Sequence, residues 1–315
     1  MADPSITLDT QTPGTGVRVI PASVRARRIG GTVLAYAVMI AVSIILILPL
    51  LWLFAASLKT HQLVLSTPRG FGEFFQSLVP ADPQFVNYSE ALTRRPFGLW
   101  TRNTMIIVVT ATAGTLLSAS MAAYAFARLR FPGRQLLFTI TLSTLMLPFI
   151  VTMIPQFLMF SKIPGPSSAG NWTDTLMPLI LPHWLGGGAF YIFLMRQFFT
   201  TIPRELDEAA RIDGAGFFRS YWQITLPLSG PVLATVTIFS FITNWNDFLA
   251  PLIYLASRQN QTLALGLQTF QGEFSNEHHL LMAASTTMTV PVLLVFFFMQ
   301  KYFLRGFVMS GIAGR

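Results

Sequence analysis

Along this chain, apolar positions collect into six long runs that contain no Asp, Glu, Lys or Arg: 29–58, 103–127, 135–161, 175–195, 220–246 and 280–300. Each is 21 to 30 residues long. About 20 apolar residues cross the hydrocarbon layer of a bilayer as a helix. In lipid the backbone must pair within itself, so a run of this length predicts a transmembrane helix. A membrane β-barrel would need segments of roughly ten alternating residues. Runs such as AVMIAVSIILILPLLWLF do not alternate. The pattern predicts an all-α integral membrane protein with six transmembrane helices.

The polar segments between the runs predict the rest of the organisation. Residues 1–28 are rich in Pro, Gly and Thr and end in Arg-Ala-Arg-Arg, which predicts a disordered tail. The apolar run that follows is too long for a cleaved leader. Loops are expected at 59–102, 162–174, 196–230 and 257–279, a six-helix body over 29–305 and a short tail over 306–315. The 59–102 loop, with Pro68, Pro80, Pro83 and Pro96, predicts short helical pieces. The 257–279 loop is polar around an apolar centre and predicts a small ordered lobe.

Composition supports this picture. Of 315 residues, 52% are hydrophobic and 11% charged, against about 25% charged in soluble domains. There is no Cys, which excludes disulfides, thiolate nucleophiles and Cys-ligated zinc. The net charge of +8 is spread over the run ends and forms no nucleic-acid patch. With the N-terminus inside, 14 Lys and Arg fall on the cytoplasmic side and 7 outside, five of these in the one long loop. The positive-inside rule therefore predicts that both termini are cytoplasmic, with basic residues meeting anionic lipid where helices leave the membrane.

One cytoplasmic segment carries more information, RQFFTTIPRELDEAARIDGAGFFRSYWQITLPLSGP. Pro203 suits a first helical turn, where its missing N–H is no loss. Glu205, Asp207 and Glu208 complement the positive end of the helix dipole, and Arg211 the negative end. Gly214 offers a left-handed stop. A capped amphipathic helix is expected over 203–213, with Ala209 and Ala210 as a face open to close approach. A second, aromatic helix is expected over 217–223, with Pro227 and Pro231 ending the element at the membrane. By itself such a helix could be a plain connector. The spacing says more: Glu208-Ala209-Ala210, three residues, Gly214, nine residues, then Ile224-Thr225-Leu226-Pro227. This arrangement resembles the EAA loop of the membrane permeases of ABC importers. Beyond it, FITNWNDFLAPLIYL, the 262–268 stretch and KYFLRGFVMSGIAG resemble the MalG-like permease of sugar importers.

The resemblance implies the type I importer permease fold and a non-catalytic subunit. Its implied partners are a second homologous permease, two ATP-binding subunits and an extracytoplasmic sugar-binding protein, at the bacterial plasma membrane. It implies a coupling helix carrying Glu208, Ala209, Ala210, Asp213 and Gly214, supported by Ile224, Leu226 and Pro227, that docks on an ATPase. It also implies a contact between the 257–279 loop (Gln271, Glu273, Phe274) and the binding protein. No GxxxxGK[ST] loop is present, so no cofactor is expected on this chain and ATP with Mg belongs to the partners. His278 and His279 lack a second ligand cluster, and no metal is expected. His183, in the fourth run, either serves transport or bonds backbone freed by the adjacent Pro182 and Gly186-Gly187-Gly188. Asn244, Trp245, Asn246 and Asp247 either line a pathway or cap a helix. A self-contained channel, secondary transporter or membrane enzyme would need its own energy coupling or chemistry, such as buried carboxylates in the spans, and no run contains one.

Overall fold

A computed structural model describes residues 22–66, 70–272 and 275–312. In chain order the helices are α1 (Ala22–Ser57), α2 (His61–Leu65), α3 (Phe71–Ser77), α4 (Val86–Thr93), α5 (Phe97–Arg128), α6 (Arg134–Ser143, extended by a 3-10 turn Thr144–Met146), α7 (Phe149–Lys162), α8 (Met177–Trp184) and α9 (Ala189–Thr201). They continue with α10 (Glu205–Ile212), α11 (Phe217–Ser220), a π-turn Tyr221–Thr225, α12 (Leu226–Leu228), α13 (Gly230–Trp245), α14 (Leu249–Tyr254), α15 (Leu263–Leu267) and α16 (His278–Ile312). Before α16, β1 (Gln271–Gly272) and β2 (Ser275–Asn276) pair as a small antiparallel hairpin, Gln271 opposite Asn276.

Among the described residues, four helical stretches are long and apolar enough to cross a membrane: Ile29–Ser57, Phe97–Arg128, Met177–Thr201 (α8 with α9) and His278–Lys301. Two bent pairs, Arg134–Met146 with Phe149–Lys162 and Phe217–Leu228 with Gly230–Trp245, bring the number of spans to six when each pair counts as one. The all-α, six-span expectation therefore holds, with three changes of detail.

The third run is not one straight helix. It bends by 100° at Leu147-Pro148, because a residue before proline is driven out of the helical region. Leu147 sits at φ −80°, ψ 116°. Pro227 does not end its element. The helix runs through it to Leu228, and the break comes at Ser229, with a 79° bend. The π-turn explains this: the Leu226 N–H reaches back five residues to the Tyr221 carbonyl, so the missing N–H of Pro227 falls where the ladder is already shifted. Pro231 then occupies the first turn of α13. The third change is at the ends. Helix α1 begins at Ala22, so 22–28 are helical rather than part of a disordered tail, and α16 continues through the expected 306–315 tail to Ile312. Residues 1–21 and 313–315 lie outside the described residues.

Two compact units divide the chain, Met1–Trp52 and Leu53–Arg315. The first is, among the described residues, the apolar helix α1 as far as Trp52. The second is organised around α5, which packs against α8, α9, α13 and α15. Small residues permit this crowding. Ala111, Thr115, Ala119 and Ala123 of α5 are fully buried. A Cβ on Gly114 would lie 2.6 Å from the Trp184 ring of α8. Its remaining surface is apolar where a water-soluble fold is polar, as at Ile140, Ile150, Ile154 and Phe297. The expected helical pieces of the 59–102 loop are α2, α3 and α4, and the expected lobe of 257–279 is α15 with the hairpin.

Candidate functional site

The EAA segment leaves the bundle at the C-terminal end of α5. Helix α10 starts at Glu205, two residues later than expected, with Ile202 extended at ψ 131° and Pro203 in the connecting link. Its acidic first turn and Arg211 in the last turn are as read from the sequence. The C-terminal stop is a complete Schellman motif. The Ala215 N–H donates to the Ala210 carbonyl at 2.8 Å, and the Gly214 N–H to the Arg211 carbonyl at 3.0 Å. Gly214 stands at φ +79° with nothing within 4 Å of the position a Cβ would take.

The small-residue face divides. Glu208 and Ala209 are exposed, as are Asp213 and Gly214, whereas Ala210 is buried against its own chain. Ala210 is thus the inner contact of the helix rather than part of its outer surface. Between α10 and the α11 segment lies a groove of about 330 Å³ lined by Leu206, Ala209, Asp213, Arg219, Gln223 and Ile224, among others. The aromatic continuation is anchored from below: the Tyr221 hydroxyl is 2.7 Å from that of Ser120 on α5. On the outer side, Arg211 lies over the Phe217 ring at 4.9 Å and Phe218 stacks on Trp222. Of the supporting residues, Ile224 and Leu226 are half-buried and Pro227 is exposed.

One residue that sequence reasoning did not single out, Arg128, fastens this segment. The Arg128 Nη1 pairs with Asp207 Oδ2 at 3.2 Å, and its Nη2 donates to the Ile202 carbonyl at 2.6 Å. In the sequence Arg128 is one of several basic residues at a run end, and nothing local marks its partner.

At the opposite end of α5, the 257–279 lobe is fixed by Asn103 and Thr104. Asn103 donates to the carbonyls of Gln259 and Gln261, and Thr104 accepts from the Leu263 N–H. A second unforeseen residue, Asp174, stands at φ +55° and ties the 162–174 loop to this lobe. Its carboxylate accepts from the Ala256 and Ser257 N–H groups and from the Ser257 hydroxyl, all within 3.0 Å. Burial alone would raise its pKa, but the hydrogen bonds from Ser257 and Ala256 outweigh it and hold the carboxyl below the usual range. Glu277 meets Arg94 and Arg95, each at 3.4 Å. Gln271 is exposed, while Glu273 and Phe274 lie outside the described residues.

The remaining candidates separate by environment. Trp245 is 1% exposed, its N–H donating to the Met288 carbonyl. It therefore joins α13 to α16 inside the core and lines no open space. Asn246 is exposed and bonds the Ile242 carbonyl, and Asp247 caps α14 through the Ala250 N–H. Asn244 and His183 belong to neighbouring polar networks on α5. Asn244 bonds the Ser240 carbonyl, and the Ser240 hydroxyl is 3.1 Å from that of Thr112. His183 Nδ1 is 3.0 Å from Thr115 Oγ1, and Ser118 donates to the His183 carbonyl. The helix does break where Gly186, Gly187 and Gly188 take positive φ. Small hydroxyls recurring in an otherwise apolar run were the available signal for Thr112, Thr115 and Ser118.

Comparison with known proteins places this arrangement. Residues 114–308 match the model of the binding-protein-dependent transport system inner membrane component family. A diacetylchitobiose uptake system permease protein of Streptomyces coelicolor is 32% identical over 237 residues, 75% of this chain and 74% of that protein. An sn-glycerol-3-phosphate transport system permease protein of Yersinia enterocolitica is 33% identical over 282 residues, 87% of this chain and 95% of that one. In fold, the chain resembles a chain in the crystal structure of a bacterial ABC transporter involved in import of the acidic polysaccharide alginate. The TM-score is 0.71 at 24% identity, over 89% of this chain and 98% of that one. With six candidate spans and a family match over most of its length, the chain belongs to the inner membrane components of binding-protein-dependent transport systems, the multi-pass permeases of ABC importers.

Proposed function

We propose that this chain is a MalG-like permease subunit of a type I carbohydrate importer, coupled to ATP hydrolysis through α10. It forms the translocation pathway with a second, homologous permease. It holds no nucleotide or metal of its own; two cytoplasmic ATPases hydrolyse ATP, and an extracytoplasmic binding protein delivers the sugar. The substrate class is an oligo- or disaccharide or a glycerol phosphate, by analogy with relatives named for diacetylchitobiose, arabinooligosaccharides, α-glucosides and sn-glycerol-3-phosphate.

The observation that carries this reading is the exposure of a short helix closed at its C-terminal end by a Schellman motif. Helix α10 presents Glu208, Ala209, Asp213 and Gly214 outward beside an open groove, although it is too short to be stable by itself. Such a helix is suited to rigid-body transmission: closure of the ATPase dimer draws the docked helices together and switches the spans. At the other end, the lobe with Gln271, Glu273 and Phe274 is the proposed contact for the binding protein. Asn244, His183 and the hydroxyls beside them are the proposed polar wall of the pathway.

The chain has no Cys, so a single introduced thiol reports cleanly. With Ala209→Cys, a short thiol-to-amine cross-linker should join this chain to an ATPase subunit in the assembled transporter. A cross-link to lipid or to no protein would overturn the docking role. Orientation has its own test. Under the proposed topology, an impermeant thiol reagent applied to intact cells labels Ser275→Cys and leaves Ser23→Cys unlabelled. The opposite pattern would invert the topology.

A further inference from the structure

We infer that the Arg128–Asp207 ion pair, together with the bond from Arg128 to the Ile202 carbonyl, is the strut that makes α5 move with α10, so that both are positioning residues for energy coupling. The inference rests on the reading of α10 as the docking helix. Arg128 is the last residue of α5, and one guanidinium grips both sides of the 203–204 link: the carbonyl of Ile202 before it and the carboxylate of Asp207 in the first turn after it. The pair is enclosed, with side chains 5% and 16% exposed. Apart from it α10 has little hold on the bundle, since Ala210 is its one buried residue. Glu205 and Glu208 point outward. Among the described residues, Asp207 is the acid of this helix that meets a cation.

Energetics favour a directional role over a stabilising one. Desolvating two charges offsets most of their attraction, and apolar pairs of similar volume hold such sites at least as well. A two-pronged charged contact instead selects one orientation. The lever it would drive is long. Helix α5 has 32 residues, about 48 Å at 1.5 Å per residue, and its far end holds the 257–279 lobe through Asn103 and Thr104. A push on α10 is thereby carried along one rigid element to the lobe, a contiguous physical route of the kind coupling requires.

The test uses the complete transporter in proteoliposomes, measuring sugar taken up per ATP hydrolysed. Asp207→Asn should lower that ratio about tenfold, within the usual range of coupling between sites. The double variant Arg128→Met with Asp207→Leu should assemble at wild-type yield and show the same fall. A wild-type ratio in both variants would overturn the inference. Failure of the apolar pair to assemble would equally overturn it, because the charges would then be holding the fold together. Cross-linking from Ala209→Cys, measured separately, shows whether the docking reading itself has failed.

Discussion

Gly214→Asp is expected to abolish transport while leaving the chain inserted and paired with its partner permease. Gly214 lies at φ +79°, where a side chain adds roughly 1–2 kcal/mol of strain. The new carboxylate would also sit beside Asp213 at the negative end of the helix dipole. Neither effect unfolds a six-span protein. A Cβ here meets nothing in this chain within 4 Å, so the added group projects outward, into the surface proposed to receive the ATPase. Gly214→Ala carries the backbone strain with little bulk and should retain part of the activity. Ala210→Glu should reach the same loss by another route. Ala210 is buried and its carbonyl accepts the Schellman bond from Ala215, so a carboxylate there pushes α10 off its own bundle. The measurement is ATPase retained on washed membranes together with sugar uptake. Wild-type values of both in Gly214→Asp would reduce the loop to a connector.

The second large effect is expected at the opposite end. A Cβ on Gly266 would stand 2.3 Å from Cε3 and 2.4 Å from Cδ2 of Trp100. The ring cannot yield. Trp100 is 2% exposed and shares its cluster with Leu263, Phe270 and Leu280. Overfilling a tight core costs about 1–3 kcal/mol and sometimes more, and Gly266→Val adds three carbons at the closest point. Helix α15 should lift, breaking the bond from Leu263 to Thr104. Stimulation of ATP hydrolysis by the binding protein should then be lost while the ATPases stay bound at the other end. Gly98→Val, in the first turn of the same α5 and with nothing within 4 Å of its Cβ, is the control and should be near neutral. Hydrogen exchange over 257–279 reads the difference directly. Equal protection in the two variants would show that the close approach to Trp100 does not hold the lobe.

What the sequence determined by itself were features written in short stretches of chain. Run length sets a span, because about 20 apolar residues match the bilayer whatever surrounds them. The acidic first turn of α10, the glycine that takes the left-handed stop and the break at Gly186-Gly187-Gly188 are likewise local, since dihedral limits and dipole ends act within a turn or two. The family resemblance came from the same kind of signal, a fixed spacing between Glu208 and Pro227. Tertiary structure decided what depends on partners far along the chain. Trp245 reads as a polar-edged aromatic near a span end, and only the arrival of α16 at Met288 makes it core. Pro227 reads as a terminator, and only the π-turn anchored through Tyr221 to Ser120 lets the helix pass it. Asp174 and Arg128 are ordinary charged residues until Ser257 and Asp207 fold against them. An apolar run reports how much lipid it can cross, whereas an ion pair or a hydrogen bond exists only between two groups the fold has already brought within about 3 Å.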